Sequence, residues 1–346
     1  MRGQLLATTL AIALVAWPST MAAQGPDEPI FDRLTETFKK DYLSLGVLLQ
    51  AVADFQVERT LPTENGFSIA NFRLLLRGEL DEGFGYFLQA SFAGTPAILD
   101  ARMSYRASPM LAFDVGQFKA PFSREFLTSA ASIDFVNRSQ AVTALAPGRQ
   151  IGLQARFNDR GRTVGVSAGI FNGNGTRPNG NDNDNLMFAG RVAVMPKLGP
   201  VGTGRALEIG VNVAHSDDDG STFGGGFVTD FVGRRTHVGG DARLTVDRWL
   251  LSGELVYAEL RPTLGIDRSP WGFHTTVGYM LSPKTQVLAR FDGFDADNGL
   301  DRSDLLILGF NAWPTAVTEF QVNYLIDTRD TAVDHHQLLV NFQFGF

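Results

Sequence analysis

The chain has no cysteine. An exported protein of this size must then hold its fold without disulfides. Lysine is almost as scarce. Only Lys39, Lys40, Lys119, Lys197 and Lys284 stand among 30 basic residues, and the remainder are arginine. The five histidines, His215, His237, His274, His335 and His336, fall in no recognisable catalytic motif, which argues against a hydrolase. After residue 24 no apolar run is long enough for a transmembrane helix. Basic charge is not in excess either. The net charge is −7, or −8 without Arg2, which speaks against a nucleic-acid partner. Two acidic stretches, HSDDDGS at 215–221 and DADNGLD at 295–301, lack the ligand spacing of an EF-hand and read as solvated outer loops. No metal or other cofactor is expected.

What is present begins with a leader. Residues 1–23 carry one positive charge at Arg2, an apolar run from Leu5 to Trp17 and then small residues. This is the pattern of a cleaved secretory signal. Residues 24–40 form a short periplasmic segment in this reading, in which PIFDRLTETFKK would make an amphipathic helix. From 41 to 346 the chain repeats one pattern, short segments of period two. FRLLLRGEL sets Phe72, Leu74, Leu76 and Leu80 against Asn71, Arg73, Leu75, Arg77 and Glu79. LDARMSYR sets Leu99, Ala101, Met103 and Tyr105 against Asp100, Arg102, Ser104 and Arg106. Such alternation predicts strands with one apolar and one polar face.

Sixteen segments read this way: 42–55, 67–80, 85–92, 99–106, 110–118, 149–157, 163–171, 186–194, 206–215, 235–246, 249–259, 272–280, 285–292, 305–313, 316–326 and 336–346. Tight connections alternate with longer ones rich in Gly and Asp, with the connections after the third and eighth strands blurring the rule. The last segment, LLVNFQFGF, puts Leu338, Val340, Phe342, Phe344 and Phe346 on one face. Tyr86, Phe92, Tyr105, Phe157, Tyr257, Tyr279, Phe291 and Tyr324 also fall on apolar faces. An even strand count, alternating loops, export and a terminal aromatic together predict an all-β transmembrane antiparallel barrel in an outer membrane, its outer face against lipid.

A barrel of sixteen strands leaves an aqueous lumen. The connection after the fifth strand is the longest and holds apolar residues without a strand pattern, SREFLTSAASIDFVNRSQAV. A loop of that length needs a function, and folding into the lumen would bury its apolar residues and narrow the pore.

The stretch LDARMSYRASPMLAFDVGQFKAPFSREFLTSAASIDFVNRS, followed by PGRQIGLQARF and SAGIFNGNG, resembles the phosphate-selective porin family of O and P type. The likeness covers about residues 70–175. It rests on a D-A-x-x-x-Y strand, V-G-Q-F-K-x-P-F, D-F-x-x-R-S, G-R-x-I-G and G-x-F-N-G. The resemblance implies an outer-membrane channel, a homotrimer, a third outer loop folded inward, and a lumen whose arginines and lysines draw small anions. The scarcity of lysine leaves no dense lysine collar, so a general or weakly anion-preferring channel for small hydrophilic solutes is expected rather than a phosphate-specific one.

The charge pattern gives the candidate anion contacts. Lumen-facing positions of strands two to eight carry Arg73, Arg77, Arg102, Arg106, Arg156 and Arg191, against Glu79, Asp100 and Asp114. The inward loop adds Lys119, Arg124, Arg138 and Arg149, against Glu125 and Asp134. Later strands offer Glu208, Asp241, Glu254, Asp292 and Glu319, against Arg243 and Arg290. One wall reads basic and the other acidic. Arginine suits phosphate and carboxylate because its fork donates to two oxygens at once. The alternatives are a non-conducting barrel acting as adhesin or scaffold and, more remotely, a barrel hydrolase.

Overall fold

The computed structural model describes residues 42–58, 65–176, 180–199, 205–300, 302–330 and 332–346. The expected leader (1–23) and the segment 24–40 lie outside the described residues. Sixteen antiparallel strands close into one barrel, each paired with its neighbours in sequence. They are β1 (Ser44–Gln56), β2 (Gly66–Glu79), β3 (Phe84–Ser91), β4 (Ala97–Arg106), β5 (Leu111–Lys119), β6 (Arg149–Asn158), β7 (Val164–Phe171) and β8 (Met187–Val194). The second half comprises β9 (Ala206–Phe223), β10 (Val228–Val246), β11 (Trp249–Pro262), β12 (Trp271–Ser282), β13 (Thr285–Asp295), β14 (Ser303–Thr315), β15 (Thr318–Asp327) and β16 (Gln337–Gly345). Closure is made by β16 against β1, from Gln56 opposite Gln337 to Leu48 opposite Gly345. Phe346 extends the seam, its N–H and C=O bonding Val47 at 3.1 and 3.0 Å. No backbone edge is left, as a strand structure in lipid requires.

The alternation read from the sequence is the alternation of faces. Leu74, Leu88, Met103, Leu153, Val192, Val213, Leu255, Val277 and Phe342 are exposed on the outside. Aromatic pairs gather at both rims: Phe84–Tyr105, Trp249–Tyr279 and Phe344–Phe346 at the end with the short turns, Phe55–Phe67 and Trp271–Phe273 at the other. Short turns face the periplasm in such barrels, and aromatic belts mark the two interfaces.

Two expectations need correction. Residues 215–221 are strand rather than solvated loop, because β9 and β10 run on to a tight glycine turn at 224–226. Asp217 and Asp219 point outward, while Asp218 is buried and receives Arg235 Nε at 2.5 Å and the Ser221 hydroxyl at 2.6 Å. The inward face is also not uniformly polar. Leu250, Val256, Ala258, Leu260, Leu288 and Ile307 point inward and are buried. They need no water because the long loop after β5 lies over them.

That loop, residues 120–148, contains two short helices, α1 (Arg124–Leu127) and α2 (Gln140–Leu145). Phe122 and Leu145 are wholly buried and pack with Phe118, Phe171, Val256 and Leu260. Phe135 sits on Leu250, Leu288 and Ile307. Burying each such side chain contributes about 1.5–3 kcal/mol. Glycines on the wall admit the loop. A Cβ at Gly272 would lie 2.8 Å from that of Ala141, and one at Gly309 would lie 2.9 Å from the Phe135 ring.

Candidate functional site

A loop buried in a lumen must find partners for its backbone polar groups. Here the facing wall supplies them. Glu254 accepts the Glu125 N–H at 3.2 Å, Asn323 that of Val136 at 2.7 Å, and Asp292 that of Gln140 at 3.1 Å. Amides donate to loop carbonyls: Gln50 to Ala130 (3.1 Å), Gln343 to Ala131 (3.0 Å), Gln321 to Ile133 (3.1 Å) and Asn311 to Asp134 (2.8 Å). Ion pairs complete the attachment. Arg290 donates to Glu125 at 2.7 Å, Arg243 to Asp134 at 2.5 Å, and Arg124 to Glu208 at 3.1 Å. Burial acts to raise the Glu125 carboxyl. Arg290, His274 and two hydrogen bonds from Ser139 outweigh it and hold the group well below the ordinary carboxylate range, at about 2.

Part of the acidic wall is therefore a mounting for the loop, and the rest pairs with neighbouring wall residues. Glu254 and Asp292 hold loop N–H groups, and Glu319 receives Gln343 at 3.0 Å. Glu208 and Asp241 both accept from Arg191. Arg191, expected among the anion contacts, lies among these carboxylates. Its guanidinium is buried, flat over Gly210, where a Cβ would meet it at 2.5 Å. Asn212 and Asp241 take one of its amino groups, and Glu208 and Asp241 the other.

The opposite wall stays open. A space of about 1000 Å³ is lined by Arg73, Arg77, Arg102, Arg106, Lys119, Arg149 and Arg156, against Glu79 and Asp100. Seven cations face two carboxylates here, although the whole chain is acidic. At the level of the loop, Arg149 makes a two-point pair with Asp100 at 3.1 and 3.0 Å. Lys119 donates instead to the carbonyls of Phe126 (2.5 Å) and Thr128 (3.0 Å). Arg138, which is not among the lining residues, donates to the carbonyls of Glu125 (3.1 Å) and Thr128 (2.7 Å). Carbonyls satisfy the donors without cancelling their charge. Arg73 donates to the Asn71 amide oxygen at 2.8 Å and lies in the field of Arg149, Arg138 and Asp100. Burial lowers the Arg138 guanidinium below its ordinary value, Glu125 opposes this, and Arg149 adds to it.

Nearer the short turns, Arg156 and Arg102 share the buried Asp114, at 2.5 and 3.7 Å. Arg106 meets the exposed Glu79 at 3.5 Å. Arg77 enters no ion pair among the described residues. Arg124 faces a second, smaller space of about 440 Å³ with Arg162, Lys197, Arg205 and Arg243. The wall thus brings together Arg73, Arg77, Arg102, Arg106, Lys119, Arg149 and Arg156, and sets Arg124, Arg138 and Arg191 apart. Sequence reasoning missed the amides that seat the loop. Their signal was available, since Gln50, Asn311, Gln321, Asn323 and Gln343 occupy inward positions where a water-filled wall would more often carry charge.

Comparison with known proteins follows this geometry. The model of the family described as phosphate-selective porin O and P matches residues 48–279, more than half of the chain. Among solved structures the chain is similar to an anion-selective porin from Comamonas acidovorans. The TM-score is 0.65 at 14% identity, covering 88% of this chain and 99% of that one. It is similar also to OprB of Pseudomonas putida, with a TM-score of 0.63, 12% identity and coverage of 92% and 97%. A third likeness is to OmpT of Vibrio cholerae in a trimer form, with a TM-score of 0.59, 12% identity and coverage of 88% and 99%. No curated protein matches the chain by sequence. At these identities the solved structures speak for the fold, and the family model supplies the assignment. A closed barrel, a loop seated across its lumen and one open basic wall fit that match: the chain is an outer-membrane porin and belongs to the phosphate-selective porin O and P family.

Proposed function

We propose that the channel passes small hydrophilic solutes and ions by passive diffusion, with a modest preference for anions. One observation carries this reading: the open part of the lumen is lined by seven basic side chains and two carboxylates, with Asp114 buried behind two of them, while Glu254 and Asp292 on the facing wall hold the loop. A permeating ion responds to charges within about a Debye length, about 8 Å at physiological salt, and not to the sum over the chain. The likeness to an anion-selective porin points the same way. Lys119 is the one lysine in the lining, so the wall offers separate arginine forks rather than a lysine collar, and the preference extends to phosphate-like and carboxylate anions without being specific to phosphate.

In this reading the arginines Arg73, Arg77, Arg102 and Arg106 form the path, with Lys119, Arg149 and Arg156 beside them. No catalysis is assigned. The mature chain begins after the leader, and the porin works as a homotrimer, as the neighbour from Vibrio cholerae is described in a trimer form. Reconstitution in a planar bilayer is the test. Stepwise current increments grouped in threes, larger in a chloride salt of a bulky cation than in a potassium salt of a bulky anion, are expected. A membrane that stays silent with correctly folded protein inserted would favour a non-conducting scaffold.

A further inference from the structure

Phe87 is out of place for a lumen. It faces inward, half-buried, and lines the open space, yet it belongs to neither of the buried apolar clusters. Its ladder partners explain what it touches. On β2 the residue directly opposite is Arg77, and on β4 it is Arg102. Three adjacent strands thus present a row of guanidinium, phenyl ring, guanidinium. Strand spacing puts the two arginine backbones roughly 10 Å apart, with the ring midway. The Arg102 guanidinium lies 5.7 Å from the ring centroid. It is half-committed, with Asp114 at 3.7 Å. Arg77 is exposed and has no ion-pair partner among the described residues. Leu75, one step along β2 on the same face, also lines the space and extends the apolar footing beside the ring.

We propose that Phe87, between Arg77 and Arg102, is a subsite for flat organic anions, with aromatic carboxylates as the ligand class. The inference rests on the anion-channel reading and goes further in naming a solute. Inorganic phosphate or chloride uses the arginines and gains nothing from the phenyl ring. An aromatic carboxylate uses both, its ring against Phe87 and its carboxylate on the Arg77 fork, which donates to two oxygens in plane. The ring of such a solute also offers its face to Arg102.

The test is block of the chloride current by benzoate, cyclohexanecarboxylate and acetate in a planar bilayer. Wild type is compared with Phe87→Leu, which keeps apolar volume and removes the aromatic face. The readout is the ratio of half-blocking concentrations within each channel, so that a general change in conductance cancels. In wild type, benzoate should block at a concentration about three- to ten-fold below acetate, and also below cyclohexanecarboxylate. In Phe87→Leu the advantage over cyclohexanecarboxylate should vanish. Equal block by benzoate and acetate in an anion-selective wild type overturns the subsite and leaves the anion channel standing. Persistence of the benzoate advantage in Phe87→Leu likewise overturns it. A cation-selective wild type in potassium chloride alone, before any organic acid is added, refutes the anion pathway and the subsite together.

Discussion

Replacing Glu125 by glutamine should make the constriction unsteady without unfolding the barrel. Glu125 lies within the loop and is nearly buried. One oxygen receives Arg290 at 2.7 Å, and the other receives the Ser139 N–H at 2.9 Å and hydroxyl at 2.7 Å. Arg290 has 2% exposure, so it cannot turn to water when its partner loses charge. It also meets the Phe135 ring at 4.2 Å, Thr276 and the Asn137 carbonyl, and it lies in the field of Asp292. Leaving one member of a buried pair unmatched costs about 3–5 kcal/mol. Glutamine still accepts hydrogen bonds, which places the loss near about 3 kcal/mol, or roughly two powers of ten in the population of an unseated loop. Arg290 joins the strand ladders through its backbone alone, so heat-modifiable barrel should still form. The assay is single-channel recording. Wild type should show a quiet open level, and Glu125→Gln should show frequent excursions to other levels. A double variant with Glu125→Gln and Arg290→Met should recover most of the quiet, because it removes the unmatched guanidinium while the amide oxygen still accepts from Ser139. An inserted Glu125→Gln channel as steady as wild type would refute the view that this pair holds the loop.

Deleting residues 124–140 should raise single-channel conductance, since it removes the loop section that covers the facing wall; unchanged conductance in inserted protein contradicts an obstructing loop. Truncating residues 338–346 removes most of the partner of both β1 and β15, leaves edges unpaired, and should yield periplasmic unfolded protein instead of heat-modifiable barrel. The Glu125 carboxyl has a depressed folded value, so its contribution is fully present above the ordinary glutamate value of about 4.3 and is lost as pH falls toward about 2. The part of the open-channel noise that Glu125→Gln introduces should therefore appear in wild type only below about pH 4. Noise that already rises near pH 6 would place the sensitive group elsewhere.

Strand number, faces and closure were legible because period two has only two phases, and an inserted barrel must keep one of them against lipid. The terminal aromatics and the alternating turns fixed which end is which. Two things were not legible, for related reasons. The extension of β9 and β10 through an aspartate-rich run depends on Asp218 finding Arg235, seventeen residues away and on the next strand. Local composition spoke for a loop, and a distant ion pair decided otherwise. The fate of the acidic wall depended on what lies over it. Glu254 and Asp292 look like lumen charges by phase alone, and only the seated loop shows that each accepts a loop N–H. The surroundings of Arg191 were equally hidden from the sequence. Phase sent it inward correctly, but Gly210, Glu208 and Asp241 gave it somewhere to lie.

The most direct test of anion preference set by the basic wall is the zero-current potential across a potassium chloride gradient, for wild type and for Arg73→Glu with Arg77→Glu. The double change takes the lining from seven cations against two carboxylates to five against four. Each unit charge about 4 Å from a permeating ion contributes on the order of 1 kcal/mol in bulk-like water. Wild type should give a potential of the sign that marks chloride as the more permeant ion. The double variant should shift several-fold toward potassium at low salt, and less at high salt where screening shortens the field. A potassium-selective wild type, or a double variant with an unchanged potential, would contradict the assignment of the field to this wall.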